Sequence, residues 1–480
     1  MNGVIAILSF LVMVMVLVFV PTLAAPFTDA YGSVTVFYCA KALGVCAFAA
    51  AIAGIAIRRN REHGSYLIKL FMFALLVRVL IGTAIFVFKG QDFFGGDAFT
   101  YDAFGNLQLL AWEGDKYAQI FVDRYVGGDF RSGWGMNSMV ALIYAVVGRN
   151  MLSVQYFNSV LGAATAPLIF LCAYDVFKNR RVATVAALGV AFYPSLVLWS
   201  CQGLKDGPIV FFLAVSILAT LKLGQKLTVF YAVVLATSLF GVLAFRFYVF
   251  YMLLAAVMGA FVIGMRAVTA QSLVRQFAIV LFLGLAMMYF GVMRYAAAQY
   301  EVYGSLERVQ VSRLDLATSA QSGFGRDVDV STTSGALSSI PLGLVYMLFA
   351  PFPWQLGSLR QSLTIPEMLI WWTSFPLMIL GVWFSLKHRL RQMSSIFIFT
   401  SMLTLAYSVF QGNVGTAYRQ RAQLLVFYFI FVAVGVVLIK ERREEKRRAR
   451  DLSHPGHKPR LPANTINPAF ASNSIATERH

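Results

Sequence analysis

Charge is scarce in this chain: 13% of its 480 residues are Asp, Glu, Lys or Arg, against roughly 25% in an ordinary soluble protein. With 59% of residues apolar, a water-facing surface cannot be assembled from what remains. Lipid is therefore the solvent for most of the molecule. Cysteine is rarer still. Cys39, Cys46, Cys172 and Cys201 lie in or at the ends of apolar runs with no CxxC among them, which argues against a disulfide framework and a cysteine metal site. Histidine is confined to His63, His388, His454, His457 and His480, all in basic loops or the C-terminal tail. Acids number 22 against 40 Lys and Arg. In a membrane protein such an excess collects in cytoplasmic loops and sets orientation, so no nucleic-acid partner is expected.

What the chain has is apolar runs. About 20 apolar residues cross a bilayer core, and the runs predict an all-α polytopic membrane protein with about 12 transmembrane helices. They fall at 4–23, 35–57, 66–88, 150–177, 182–199, 209–221, 227–244, 248–265, 277–292, 368–386, 394–410 and 424–439. The Arg58-Arg59-Asn60-Arg61 cluster marks the cytoplasm, and the later basic clusters then fall on the same side with both termini inside. The first run lacks a preceding Lys or Arg and reads as a retained span rather than a signal peptide. Two apolar pieces, 136–147 and 340–352, are too short to span and read as re-entrant or interfacial. Residues 1–440 form the polytopic domain, and 441–480 form a basic, largely disordered cytoplasmic tail that begins with a helix-prone, lipid-contacting segment.

Two outer loops interrupt the spans, 89–133 and 294–337. The first, after the third span, holds seven acids (Asp92, Asp97, Asp102, Glu113, Asp115, Asp123, Asp129) against four bases, reversing the sign of the whole protein. Interleaved aromatics predict short interfacial helices there. Polar groups at membrane depth are functional candidates by default. On the outer face these are Asp97, Tyr101, Asp102, Lys205, Asp206, Arg246, Arg419 and Arg421, with no histidine beside them. Carboxylates together with Arg and Lys suit sugar transfer from a phosphate carrier. An acid takes the acceptor's proton, and cations neutralise the departing phosphate. Asp97, behind Gly95-Gly96, is the expected catalytic base, although an Asp there also makes a good helix N-cap. Asp102 and Tyr101 are expected to contact substrate, and Lys205, Arg246, Arg419 and Arg421 to hold the phosphate, with Asp206 positioning it. Arg78, inside the third span, needs a partner, expected to be an acid on a neighbouring helix. No motif calls for a metal or other cofactor, although the acids leave room for a divalent ion.

Gly96-Asp97-Ala98 with Tyr101, Tyr156 to Gly162, Val176 to Ala183 and Tyr193-Pro194-Ser195 resemble the GT-C superfamily of membrane glycosyltransferases. The likeness is to the bacterial branch related to protein mannosyltransferases and lipid A aminoarabinose transferases. It covers about residues 65–265 and, more weakly, Gly412 to Gly435. The resemblance implies an inverting enzyme of the bacterial inner membrane, with its active site on the periplasmic face and Asp97 as base. The donor would be a polyprenyl-phosphate-linked sugar, and the acceptor a glycan, lipid or protein hydroxyl. The chain departs from the pattern in having two spans before the span leading to the acidic loop, and Ala98 where paired-acid members have a second carboxylate.

A polysaccharide polymerase of the O-antigen type shares a polytopic body and outer arginines, and is the nearest rival. An O-antigen ligase needs an outer-loop histidine, which this topology lacks. A secondary transporter would show two matched halves, and none is visible. A non-catalytic scaffold would have no need of Asp97 or the arginines.

Overall fold

The computed structural model describes residues 2–24, 34–88, 90–94, 96–127, 134–263, 270–289, 291–292, 304–318 and 322–452. Gly95, residues 128–133 and 293–303, and the tail beyond residue 452 lie outside them. Among the described residues there is no strand, only one isolated bridge, Gly323 to Asn413.

The helices are α1 (Asn2–Ala24), α2 (Val36–Arg58), α3 (Gly64–Val87), α4 (Gly90–Phe93), α5 (Asp97–Trp112), α6 (Lys116–Phe121), α7 (Trp134–Val147), α8 (Met151–Phe177), α9 (Arg180–Phe192), α10 (Pro194–Ser200), α11 (Asp206–Gln225), α12 (Val229–Phe245), α13 (Phe247–Ile263) and α14 (Ala270–Tyr289). After them come α15 (Leu306–Thr318), α16 (Thr333–Phe349), α17 (Leu359–Ser362), α18 (Ile365–Phe410), α19 (Val414–Gln420) and α20 (Ala422–Leu452). Among the described residues six helices are long and apolar enough to cross a membrane: α2, α3, α8, α11, α18 and α20; a seventh counts if α9 and α10 form one bent span. Shorter apolar helices, including α7, α12, α13 and α16, pack around them. Chain of this kind makes a multi-pass membrane body, because only a helix satisfies its own backbone in lipid.

Burial ranks the helices. The apolar part of α20 from Ala422 to Leu438 is almost wholly buried, making it the central post, while α2 stays largely exposed with apolar side chains facing outward. Helices cannot be driven together by apolar burial within lipid, so close approach through small residues matters. Gly381 and Gly435 serve this purpose: a Cβ on either would collide with a backbone carbonyl, of Phe431 or Leu377, across the α18–α20 contact.

Two breaks sharpen the expected spans. The run 182–199 is divided at Tyr193-Pro194 into α9 and α10, bent by 53°. Pro194 has no N–H to give the Val190 carbonyl, and Arg78 takes over. Its guanidinium donates to Val190 O (3.3 Å), Ala191 O (2.8 Å) and Ser200 Oγ (2.9 Å). The acid expected beside Arg78 is therefore replaced by helix-end carbonyls. The second break is at Arg389, whose φ of −135° and ψ of 18° interrupt the 46-residue α18, where the sequence predicts two separate spans around a basic turn.

Candidate functional site

Helix geometry decides which acidic-loop residues meet the site. Gly96, at φ 75°, takes the left-handed conformation that starts α5 without strain. It is the N-cap itself, so Asp97 is the first helical residue rather than the cap. No neighbouring atom crowds Gly96, so turn geometry rather than close approach requires the glycine. From Asp97, Tyr101 is about 40° around the helix and Asp102 about 140°. Asp97 and Tyr101 therefore share one face, and Asp102 points elsewhere.

Asp206 is the first residue of α11 just as Asp97 is the first of α5. Both carboxylates sit where the helix N-terminus favours negative charge. Arg419, on α19, joins them. Its Nη1 pairs with Asp97 Oδ2, while Nε and Nη2 each reach Asp206 Oδ2 at 2.7 Å. Side-chain exposure is 50% at Asp97, 17% at Arg419 and 1% at Asp206, so the arginine bridges a buried acid and an open one. Burial works against the charge on Arg419, but Asp206 and Asp97 outweigh it and hold the guanidinium above its ordinary range. The guanidinium also lies over the ring of Trp199, 5.5 Å from its centre.

Two further cations stand behind this triad. Arg246 caps the C-terminal end of α12, is buried, and donates to Tyr407 Oη at 3.4 Å. Its Nη2 lies 3.9 Å from Asp206 Oδ1, too far for a hydrogen bond, and Oδ1 has no other partner among the described residues. Lys205, the N-cap residue of α11, is half-buried. Burial, and next the Arg246 charge, push its ammonium down to about 8, against the pull of Asp206. Tyr101 faces the same charges, and burial pushes its phenol up to about 12.

In front of Arg419 opens a cleft of about 620 Å³, its walls including Phe94, Asp97, Trp199, Arg360, Tyr418 and Arg419. This is the size of a small-ligand pocket. Compared with models of known protein families the chain matches none; no curated protein matches it significantly.

Of the sequence-predicted residues, the structure brings Asp97, Tyr101, Lys205, Asp206, Arg246 and Arg419 together. It places two elsewhere. Asp102 accepts from Tyr144 Oη and Arg149 Nη2, each at 2.5 Å, which ties α5 to α7 and the following turn. Arg421 is fully buried and donates to the carbonyls of Leu348 (3.0 Å) and Ala350 (3.1 Å). Two positions after Arg419, it emerges on the opposite side of the turn and anchors the C-terminal end of α16. No group of three or more His, Cys, Asp or Glu gathers at metal-ligating spacing among the described residues. Asp97 and Asp206 share an arginine, so an ion between them would first have to displace it.

Sequence reasoning missed Arg360 and Glu367. Arg360 lines the cleft, and as a base outside the cytoplasmic clusters it bore the same signal that marked Arg246. Glu367 is buried and accepts from Tyr418 Oη at 2.6 Å, steadying the residue beside Arg419. As one acid at the start of an apolar helix, it was also visible in principle. Trp199 carried no signal at all.

Proposed function

We propose that this chain is an integral membrane glycosyltransferase of the GT-C kind. It transfers a sugar from a polyprenyl-phosphate-linked donor to an acceptor hydroxyl at the periplasmic face of a bacterial inner membrane. The observation that carries the reading is Arg419 held between Asp97 and Asp206 on the wall of the cleft. An acid open to the cleft and an arginine able to meet a phosphate are the two groups an inverting displacement requires.

The proposed step is a single displacement. The acceptor oxygen bonds to the anomeric carbon as the bond from that carbon to the phosphate oxygen breaks, and the acceptor's proton passes to Asp97. The electron pair leaves with the polyprenyl phosphate, whose charge is met by Arg419 at the cleft wall, with Lys205 and Arg246 adding their positive field from behind it. Exposure separates the roles of the two acids: Asp97 can reach a ligand, whereas Asp206, 1% exposed, positions Arg419 from behind. In this orientation the N-terminal ends of α5 and α11 and all of α19 face the periplasm. The about 12 spans of the sequence reading place the chain's basic clusters in the cytoplasm.

The test is a transfer assay with the full chain in proteoliposomes, supplied with a radiolabelled polyprenyl-phosphate sugar and crude envelope acceptors. Label should move to the acceptor with inversion at the anomeric carbon. Donor that stays intact under every acceptor, or is carried across the bilayer without cleavage, overturns the reading in favour of a transporter.

A further inference from the structure

Three charged residues line the cleft: Asp97, Arg360 and Arg419. Asp97 and Arg419 pair with each other, and Arg419 is held from behind the wall by Asp206 as well. Arg360 has no such partner. Its Nη2 donates to the Asp92 carbonyl at 3.2 Å, and its guanidinium lies over the Phe93 ring, 5.5 Å from the centre. No carboxylate pairs with it among the described residues. The carbonyl and the ring hold the guanidinium plane in place and take one N–H of Nη2; its other N–H groups make no hydrogen bond among the described residues, so one two-pronged edge of the fork stays open to an oxyanion. The cleft's net charge is thus one unmatched cation, fixed in direction.

The remaining walls mix apolar and polar groups. Phe94, with the accessible edges of the buried Trp199 and Tyr418, gives the cleft aromatic surface, against which the apolar C–H face of a pyranose can lie. Ser358, Gln361 and Thr416 offer hydroxyl and amide groups for its hydroxyls. We infer that the cleft binds an acidic glycan, with Arg360 holding an oxyanion carried on a sugar, either a uronate carboxylate or a sugar phosphate. The inference rests on the proposed sugar-transfer reading and names its acceptor class.

The test reads binding rather than turnover. The full chain in detergent is titrated calorimetrically with cellobiose, cellobiouronic acid, glucose 1-phosphate and glycerol phosphate. One or both acidic sugars should bind at least about tenfold tighter than cellobiose, as expected for a charge-assisted pair, and which of them does so identifies the oxyanion. Arg360→Gln should remove that preference. Arg360→Lys should retain only part of it, because an ammonium keeps the charge but not the fork. Arg360 is exposed, so both variants should melt like the parent. Equal binding of neutral and acidic sugars overturns the inference, as does a preference that survives in Arg360→Gln. Glycerol phosphate binding as tightly as the sugars also overturns it, since the anion alone would then be recognised. A clear acidic preference in a chain that transfers no sugar would sink the enzymatic reading and leave this site standing.

Discussion

Asp97 and Asp102 share a helix five residues apart, yet only Asp97 meets Arg419. The difference is rotation about the helix axis, which sends Asp102 to Arg149 and Tyr144 instead. The individual members of the charge cluster were legible as costly polar groups in apolar surroundings. Their pairing was not: Asp97 and Arg419 are 322 positions apart, and nothing local records that they meet. Because Asp206 is buried, Arg419→Gln leaves its carboxylate without a hydrogen-bonded cation, facing only Arg246 at 3.9 Å and Lys205, and should cost up to about 3–5 kcal/mol in thermal unfolding. Adding Asp206→Asn should recover part of that loss; no recovery would mean the pair is not the source of the cost. Lys205 gives a pH signature. Its ammonium is lowered from 10.5 to about 8, so the unfolded chain holds more protons between those values and stability should rise with pH across that window. Lys205→Met should flatten the rise in a series of melts. Phosphate affinity should decline above pH of about 8 in the parent, and Lys205→Arg should postpone the decline.

The α9–α10 break shows how a helix end becomes part of the core. Pro194 frees the Val190 carbonyl, the bend frees Ala191, and Arg78 answers both from α3. A substitution Arg78→Met would leave these buried acceptors unpaired, at about 1–3 kcal/mol each. Amide exchange should quicken in α9 and α10 before the rest of the bundle; unchanged exchange there would show that the carbonyls find other donors. Helix positions were largely readable, because long apolar runs bounded by Arg and Lys leave few alternatives in lipid. The breaks were harder. Residues 182–199 read as a single run although Pro194 within it carried the signal of the bend, and the Lys387 to Arg391 turn looked like an ordinary loop between spans. At Arg421, the rule that flags arginines opposing the charge bias pointed to ligand binding, whereas the residue serves the carbonyls of Leu348 and Ala350. Composition cannot tell which side of a turn a guanidinium leaves from.

For the whole molecule, the account depends on one end of the bundle facing outward. The four cysteines are buried, so introduced thiols can be labelled against a quiet background. Glu113→Cys, on the exposed turn after α5, should react with a membrane-impermeant maleimide in spheroplasts. Arg443→Cys, near the far end of α20, should react only after permeabilisation. The reverse pattern would place the cleft in the cytoplasm and remove a periplasmic reaction.

The central claim is that the open acid of the Arg419 bridge takes the acceptor's proton. It is tested most directly by Asp97→Asn in the proteoliposome transfer assay, beside a melt confirming that the variant is folded. Loss of a positioned general base should lower turnover by about 10²–10⁴-fold with donor binding retained. Near-parental turnover in the folded variant would contradict the account.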